Sequence, residues 1–323
     1  YNNIQMARKI QLNSAYGAIG NQYFRYYNLI NAEAITLSGQ VSIRWIEHEM
    51  NKYLNKILKT EKQDYVIASD TDSIYLNLGP LVDAVYKGRE KTDQSVVSFL
   101  NKICEVEFEK YISSSYEALA KYVNAYEQKM IMKRENIASS GIWTAKKRYM
   151  LNVWDSEGVR YDEPKLKMMG IEAVKSSTPA PCREKIKGAM NIIMGGTEKE
   201  LNTFIQDFRD EFMSLSPEEI AYPRSCNGVK KFRGTHKLFA SRAPIHVKGA
   251  ILYNYLVEKD DLSNKYPYIQ EGDKVRFVHL KEPNIYQSSA FSFITFMPKE
   301  LDIYKFIDYD AQFEKSFVEP LKF

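Results

Sequence analysis

Apolar residues recur at helical spacing from residue 2 to about residue 20, in a stretch rich in Ala, Gln, Arg and Lys, and Gly17 and Gly20 suit a helix end. A longer helical pattern covers residues 32–58. Its apolar positions Ile35, Leu37, Val41, Ile43, Trp45, Ile46, Met50, Leu54 and Leu58 mostly trace one broad face, as a core-packed helix requires. The period then changes to two. Short β-type runs at 65–68 and 73–76 flank Asp70-Thr71-Asp72 and predict a strand, a tight turn and a strand. Residues 96–125 read as helix. Residues 143–153 and 159–167 read as strands joined by the turn sequence Asp155-Ser156-Glu157-Gly158.

Beyond Ser176-Ser177-Thr178-Pro179 the character is helical, with capping-box starts at Thr197 with Glu200 and at Ser216 with Glu219. A domain boundary is therefore expected near residues 170–180, a surface loop at 281–290, and an α+β fold overall. No internal repeat or low-complexity tract is present.

At 323 residues the chain can form two domains that each bury a core. The 45 basic against 41 acidic residues leave +4, too small an excess to argue for a nucleic-acid partner by itself. Cys104, Cys182 and Cys226 are far apart, form no CxxC pair and read as reduced thiols of a cytoplasmic protein. No run of apolar residues is long enough for a membrane span, and no signal segment is visible, so no membrane partner is expected. The chain opens at Tyr1 inside a helical pattern and stops at Phe323 in an apolar run, which suggests truncation at both ends.

Asp70 and Asp72 project two carboxylates from one turn, a donor set suited to a hard divalent cation such as magnesium. The alternative is a pair of solvated turn carboxylates. Lys9, Asn13, Tyr16 and Gly20, spaced four, three and four apart, share one helix face. There Lys9 can meet a triphosphate, Tyr16 can lie against a base or sugar, and Gly17 permits close approach; the plain alternative is a solvated surface helix. Lys146-Lys147-Arg148-Tyr149 reads as the start of a strand with Lys146 and Arg148 on one face and Lys147 and Tyr149 on the other, either tracking a phosphate backbone or forming a solvated edge. Lys129, Lys133 and Arg134, and Lys230, Lys231 and Arg233, add basic clusters of the same ambiguity. Glu135 is either a further carboxylate near the metal or the partner of a neighbouring base. His48, His236, His246 and His279 show no triad or ligand spacing, and no Walker or dinucleotide-binding loop occurs.

Three segments in order, 9–17 (KIQLNSAYG), 69–73 (SDTDS) and 146–149 (KKRY), resemble motifs of family B DNA polymerases. Segments 24–27 (FRYY), 151–155 (LNVWD), 163–167 (EPKLK) and 175–179 (KSSTP) resemble the replicative polymerases of T-even-type bacteriophages in particular, and weaker matches at 245–249 and 272–275 extend the resemblance to the end of the chain. The resemblance implies a last fingers helix over 1–21, the C-terminal part of a palm with an antiparallel sheet and packed helices over 22–170, and a mainly helical thumb over 171–323. It implies DNA-directed DNA polymerase activity by a two-metal mechanism with two magnesium ions, for which manganese can substitute. Asp72 would be the principal ligand, supported by Asp70 and with Glu135 nearby. Lys9, Asn13, Tyr16 and Gly17 would serve the nucleotide and nascent base pair, and Lys146, Lys147, Arg148, Tyr149 and Lys175 would hold the primer-template. The implied partners are primer-template DNA, deoxynucleoside triphosphates and a sliding clamp.

One departure matters. The family's second metal-binding aspartate, in an Asp-x-x-Ser-Leu-Tyr-Pro motif, has no match here, and neither the exonuclease nor most of the fingers is present. The expectation is therefore a chain that binds duplex DNA but needs an N-terminal polymerase segment or subunit for synthesis. A non-catalytic DNA-binding or scaffold subunit, and then a metal-dependent nuclease, are the competing readings.

Overall fold

The computed structural model describes residues 2–234 and 237–322; His236 and the two terminal residues considered above lie outside that range. The chain divides into two compact units, Tyr1–Ala138 with Val153–Pro164, and Ser139–Asn152 with Lys165–Phe323. The expected change of character near 170–180 follows the end of the strand that finishes at Met169, whereas the compact units divide within the strands themselves.

The first unit begins with α1 (Asn2–Ile19) and α2 (Leu29–Leu58). Asn28 caps α2 by accepting the Asn31 N–H at 3.0 Å, and Lys59 ends it in a left-handed conformation. The hairpin β1 (Val66–Asp70) and β2 (Ser73–Leu76) follows, then α3 (Gly79–Val85), which the sequence pattern did not reveal. The helix expected over 96–125 is two helices, α4 (Asp93–Ile103) and α5 (Glu109–Tyr122), joined by a single wide π-type turn at Cys104–Phe108. Ile46, Met50 and Leu54 pack with Tyr65, Phe108, Ile112, Tyr116 and Leu119 to form the core. Polar bonds fix the layers: Trp45 Nε1 donates to the Ser115 carbonyl at 3.0 Å, and Asn51 Oδ1 accepts the N–H groups of Tyr65 and Val66 at 2.8 and 3.1 Å, tying α2 to the start of β1.

The expected broad face of α2 needs correction. Apart from Ala32, its buried residues lie in the C-terminal half; Ile35, Leu37 and Val41 are exposed. Periodicity marks which residues share a face but not which part of that face a neighbour covers.

A three-stranded sheet has the order β3 (Asn136–Ala145), β4 (Arg148–Ser156), β5 (Val159–Met169). The Glu157-Gly158 turn, both residues at positive φ, forms where the sequence placed it. The single strand expected over 143–153 is interrupted: Lys146 and Lys147 form a turn between β3 and β4, with Lys147 at φ 58°.

In the second unit α6 (Ala180–Gly195) and α7 (Glu198–Phe212), the latter with the expected Thr197–Glu200 capping box, pack through Ile186, Phe208 and Phe212. The short α8 (Pro217–Ile220) carries the second expected box at Ser216 and Glu219. An antiparallel sheet not foreseen in the sequence follows, with β6 (Tyr222–Ser225), β7 (Lys274–His279) and β8 (Ala290–Phe293) in that order. Its cover is α9 (Ile245–Lys259), which lies so close that a Cβ at Gly249 would sit 2.6 Å from Ser292 Oγ. The segment between β7 and β8 is a loop, as expected, and α10 (Tyr309–Phe313) and α11 (Glu319–Leu321) close the chain.

Candidate active site and nucleic-acid interface

The β1–β2 ladder closes with the pair Asp70–Ser73, so the chain reverses over Thr71 and Asp72 alone. The Asp72 N–H donates to the Asp70 carbonyl at 2.7 Å, and Ser73 Oγ donates to the same oxygen at 3.1 Å. Thr71 sits at φ 57°, a costly conformation for a β-branched residue, and its hydroxyl donates to Asp70 Oδ1 at 3.0 Å. The result is a half-buried, oriented Asp70 carboxylate and an exposed Asp72 carboxylate on one short turn. Two hard oxygen donors fit a partial ligand set for magnesium or manganese. Among the described residues no group of three His, Cys, Asp or Glu side chains could hold a metal, so Glu135 does not complete such a group with Asp70 and Asp72. Tyr116 on α5 was not singled out by sequence reasoning. Burial first, and then the negative charge of Asp72, push its phenol up, which places it in the electrostatic range of the turn.

On α1 Lys9, Asn13, Tyr16 and Gly17 are all exposed along the helix. Tyr16 is oriented by a 2.7 Å hydrogen bond between its hydroxyl and Thr36 Oγ1 on α2. Gly17 has open space at its Cβ position, so any need for its small size must come from a partner.

In the second unit the basic tetrapeptide departs from its expected geometry. Because Lys146 and Lys147 occupy a turn, strict strand alternation does not apply to them; both are exposed at its tip. Arg148 Nη2 donates to Glu172 Oε2 at 2.8 Å and to the Pro320 carbonyl at 3.1 Å. Glu172 also accepts from Lys175 Nζ at 2.9 Å, so one carboxylate gathers two of the proposed DNA-binding cations. Tyr149 is buried, its ring centroid 6.3 Å from that of Trp143. Gly170, at φ 69°, supports the turn so closely that an added Cβ would lie 2.1 Å from the Lys147 carbonyl oxygen. Glu172 and Gly170 carried no signal in the sequence beyond their nearness to Lys175. The three cysteines are unpaired with one another, and burial raises each thiol to about 11, which makes them poor nucleophiles. No helix among the described residues is long and apolar enough to cross a membrane.

The helices and small antiparallel sheets make a mixed α/β architecture consistent with a family B polymerase domain. Residues 1–116 match the model of DNA polymerase family B, and the chain belongs to that family. Over 99% of its length it is 36% identical to the DNA-directed DNA polymerase of Enterobacteria phage T4, and over 98% it is 36% identical to that of Escherichia phage RB69. It spans 36% of the length of each, about a third of these relatives. The DNA polymerase delta catalytic subunit of Drosophila melanogaster is 32% identical over 33% of the chain and 10% of that protein.

Proposed function

We propose that this chain forms the C-terminal palm and thumb part of a DNA-directed DNA polymerase, with residues 1–21 as the last fingers helix, 22–170 as palm and 171–323 as thumb. The observation that carries the reading is the Asp70-Thr71-Asp72 turn, where Thr71, at positive φ, orients the Asp70 carboxylate beside the exposed Asp72. Asp72, supported by Asp70, would hold magnesium, with manganese as a substitute. The chemistry such ions supply is activation of a primer 3′-hydroxyl and stabilisation of leaving pyrophosphate. Lys9 places a point charge against the triphosphate. Tyr16, held by Thr36, lies along the nascent base pair with Asn13, and Gly17 leaves room for it. Lys146 and Lys147 meet the primer-template backbone, and Arg148 and Lys175, joined through Glu172, support that contact. Tyr149 contributes by packing under the turn, and Glu135 provides a neighbouring acidic group.

A third carboxylate is then required from an N-terminal polymerase segment or subunit. A sliding clamp and the host cytoplasm complete the expected setting. Primer extension with magnesium and four deoxynucleotides tests this, using the chain alone and then mixed with an upstream fragment bearing the missing aspartate. Extension in the mixture only, abolished by Asp72→Ala with duplex binding retained, is the expected result. Duplex binding without extension in the mixture would favour a non-catalytic DNA-binding subunit.

A further inference from the structure

The segment after β5 meets the basic turn at two points. Gly170 lies against the Lys147 carbonyl, and Glu172 reaches Arg148. Ile171 and Ala173 on either side are buried in the core, which fixes the backbone from which the Glu172 side chain leaves. Its two carboxylate oxygens divide unequally. Oε2 accepts from Arg148 Nη2 at 2.8 Å, while Oε1 accepts from Lys175 Nζ at 2.9 Å and from Arg148 Nη1 at 3.4 Å. Arg148 Nη2 also donates to the carbonyl of Pro320, a buried residue of α11. Both Nη atoms of the guanidinium are thus held by protein acceptors, its charge is neutralised, and its side chain is 26% exposed. Lys175 differs. An ammonium carries three donors, and Lys175 reaches Glu172 with its side chain still 46% exposed, so it can meet a second anion while it stays on the first.

We infer that Glu172 is a positioning residue for the nucleic-acid contact: it keeps Arg148 on the protein, as a strut between the basic turn and α11, and presents Lys175 to the phosphate backbone together with Lys146 and Lys147. The inference deepens the polymerase reading above and rests on it for the identity of the ligand. Phosphate contacts fix the orientation and register of a duplex, so a cation withheld from the backbone matters as much as one presented to it. A released guanidinium, whose fork suits phosphate, would add a contact at a place the strut does not allow.

The test uses the full chain and a short DNA duplex of random sequence. Side-chain nitrogen-15 spectra follow Arg148 and Lys175, identified by the signals lost in Arg148→Lys and Lys175→Arg, and fluorescence anisotropy gives the salt slope of binding. The duplex is expected to shift the Lys175 signal and leave that of Arg148 in place. Glu172→Gln, which keeps the shape and removes the charge, should steepen the slope by about one, because the released guanidinium takes a phosphate of its own. Adding Arg148→Gln to that variant should return the wild-type slope, a rescue that a purely structural role for Glu172 would not give. A wild-type Arg148 signal that moves on adding duplex, or a slope that Glu172→Gln leaves unchanged, would overturn the inference while DNA binding itself stands. No duplex binding by the wild-type chain would overturn the inference and the DNA-binding reading together. The wild-type titration needs no change at Glu172, so it decides even if Glu172→Gln fails to fold.

Discussion

Asp155 near the end of β4 is 2% exposed and faces Arg134, itself 9% exposed. Its Oδ1 accepts from Arg134 Nη1 and from the Gly158 N–H at 3.0 Å, and Oδ2 lies 3.7 Å from Arg160 Nε. Arg134 Nη2 donates to Asn101 on α4, while the Arg134 N–H reaches Glu109 Oε1 at 3.3 Å. The pair therefore pins the segment before β3 against α4 and α5. Asp155→Ala would strand the guanidinium in the interior with only neutral acceptors and remove the anchor of the Glu157-Gly158 turn. A loss of about 3–5 kcal/mol is expected, the range for breaking a buried pair from one side. Arg134→Met/Asp155→Leu removes both charges and fills similar volume, and should cost about 1 kcal/mol or less. Because the chain has two compact units, unfolding cannot be treated as one transition. The assay is accordingly native-state hydrogen exchange at α4 amides in increasing urea, with fluorescence of the neighbouring Trp154 as a second probe. A single substitution costing under about 1 kcal/mol, or no more than the double, would refute the reasoning.

In the second unit, burial first and then the charge of Lys315 hold the His279 imidazole down to about 4 against the opposing pull of Asp308. The unfolded chain, near 6.5, takes up the proton first, so stability is full above pH 6.5 and falls as pH drops toward 4, by up to roughly 3 kcal/mol. His279→Gln should flatten that acid limb of the unfolding profile, and parallel profiles for the two proteins would reject the assignment. Lys146→Ala/Lys147→Ala should reduce the salt slope of duplex binding by about two; an unchanged slope returns the turn to a solvated edge. Gly170→Ala, with its Cβ forced onto the Lys147 carbonyl and its φ positive, should cost about 2 kcal/mol or more in thermal unfolding. A neutral result would show that the turn is not held from below.

Local signals were the legible ones. The capping boxes at Thr197 and Ser216 and the Asp70–Asp72 turn depend on residues within a few positions of one another, so the chain announces them directly. The break at Lys146-Lys147 was hidden because lysine is not a turn-forming residue; its left-handed backbone is accommodated by close packing against Gly170, a distant neighbour in sequence. Arg134 and Asp155 could not be paired in advance for a similar reason, since nothing local links charges that meet only through folding. The β6–β7–β8 sheet escaped notice because its outer strands have four residues each and β8 is buried throughout, leaving no alternation to read.

α2 joins the acidic hairpin and α1 within the first unit. On its inner side Asn51 holds the backbone of Tyr65 and Val66, so the strand that ends in Asp70 is hung from this helix. Nearer its N-terminal end Thr36 holds the Tyr16 hydroxyl of α1. Ordering of the acidic turn is thus expected to depend on α2: Asn51→Ala should lower the protection of the β1 amides against exchange, and unchanged protection would show that the strand is held without this bond.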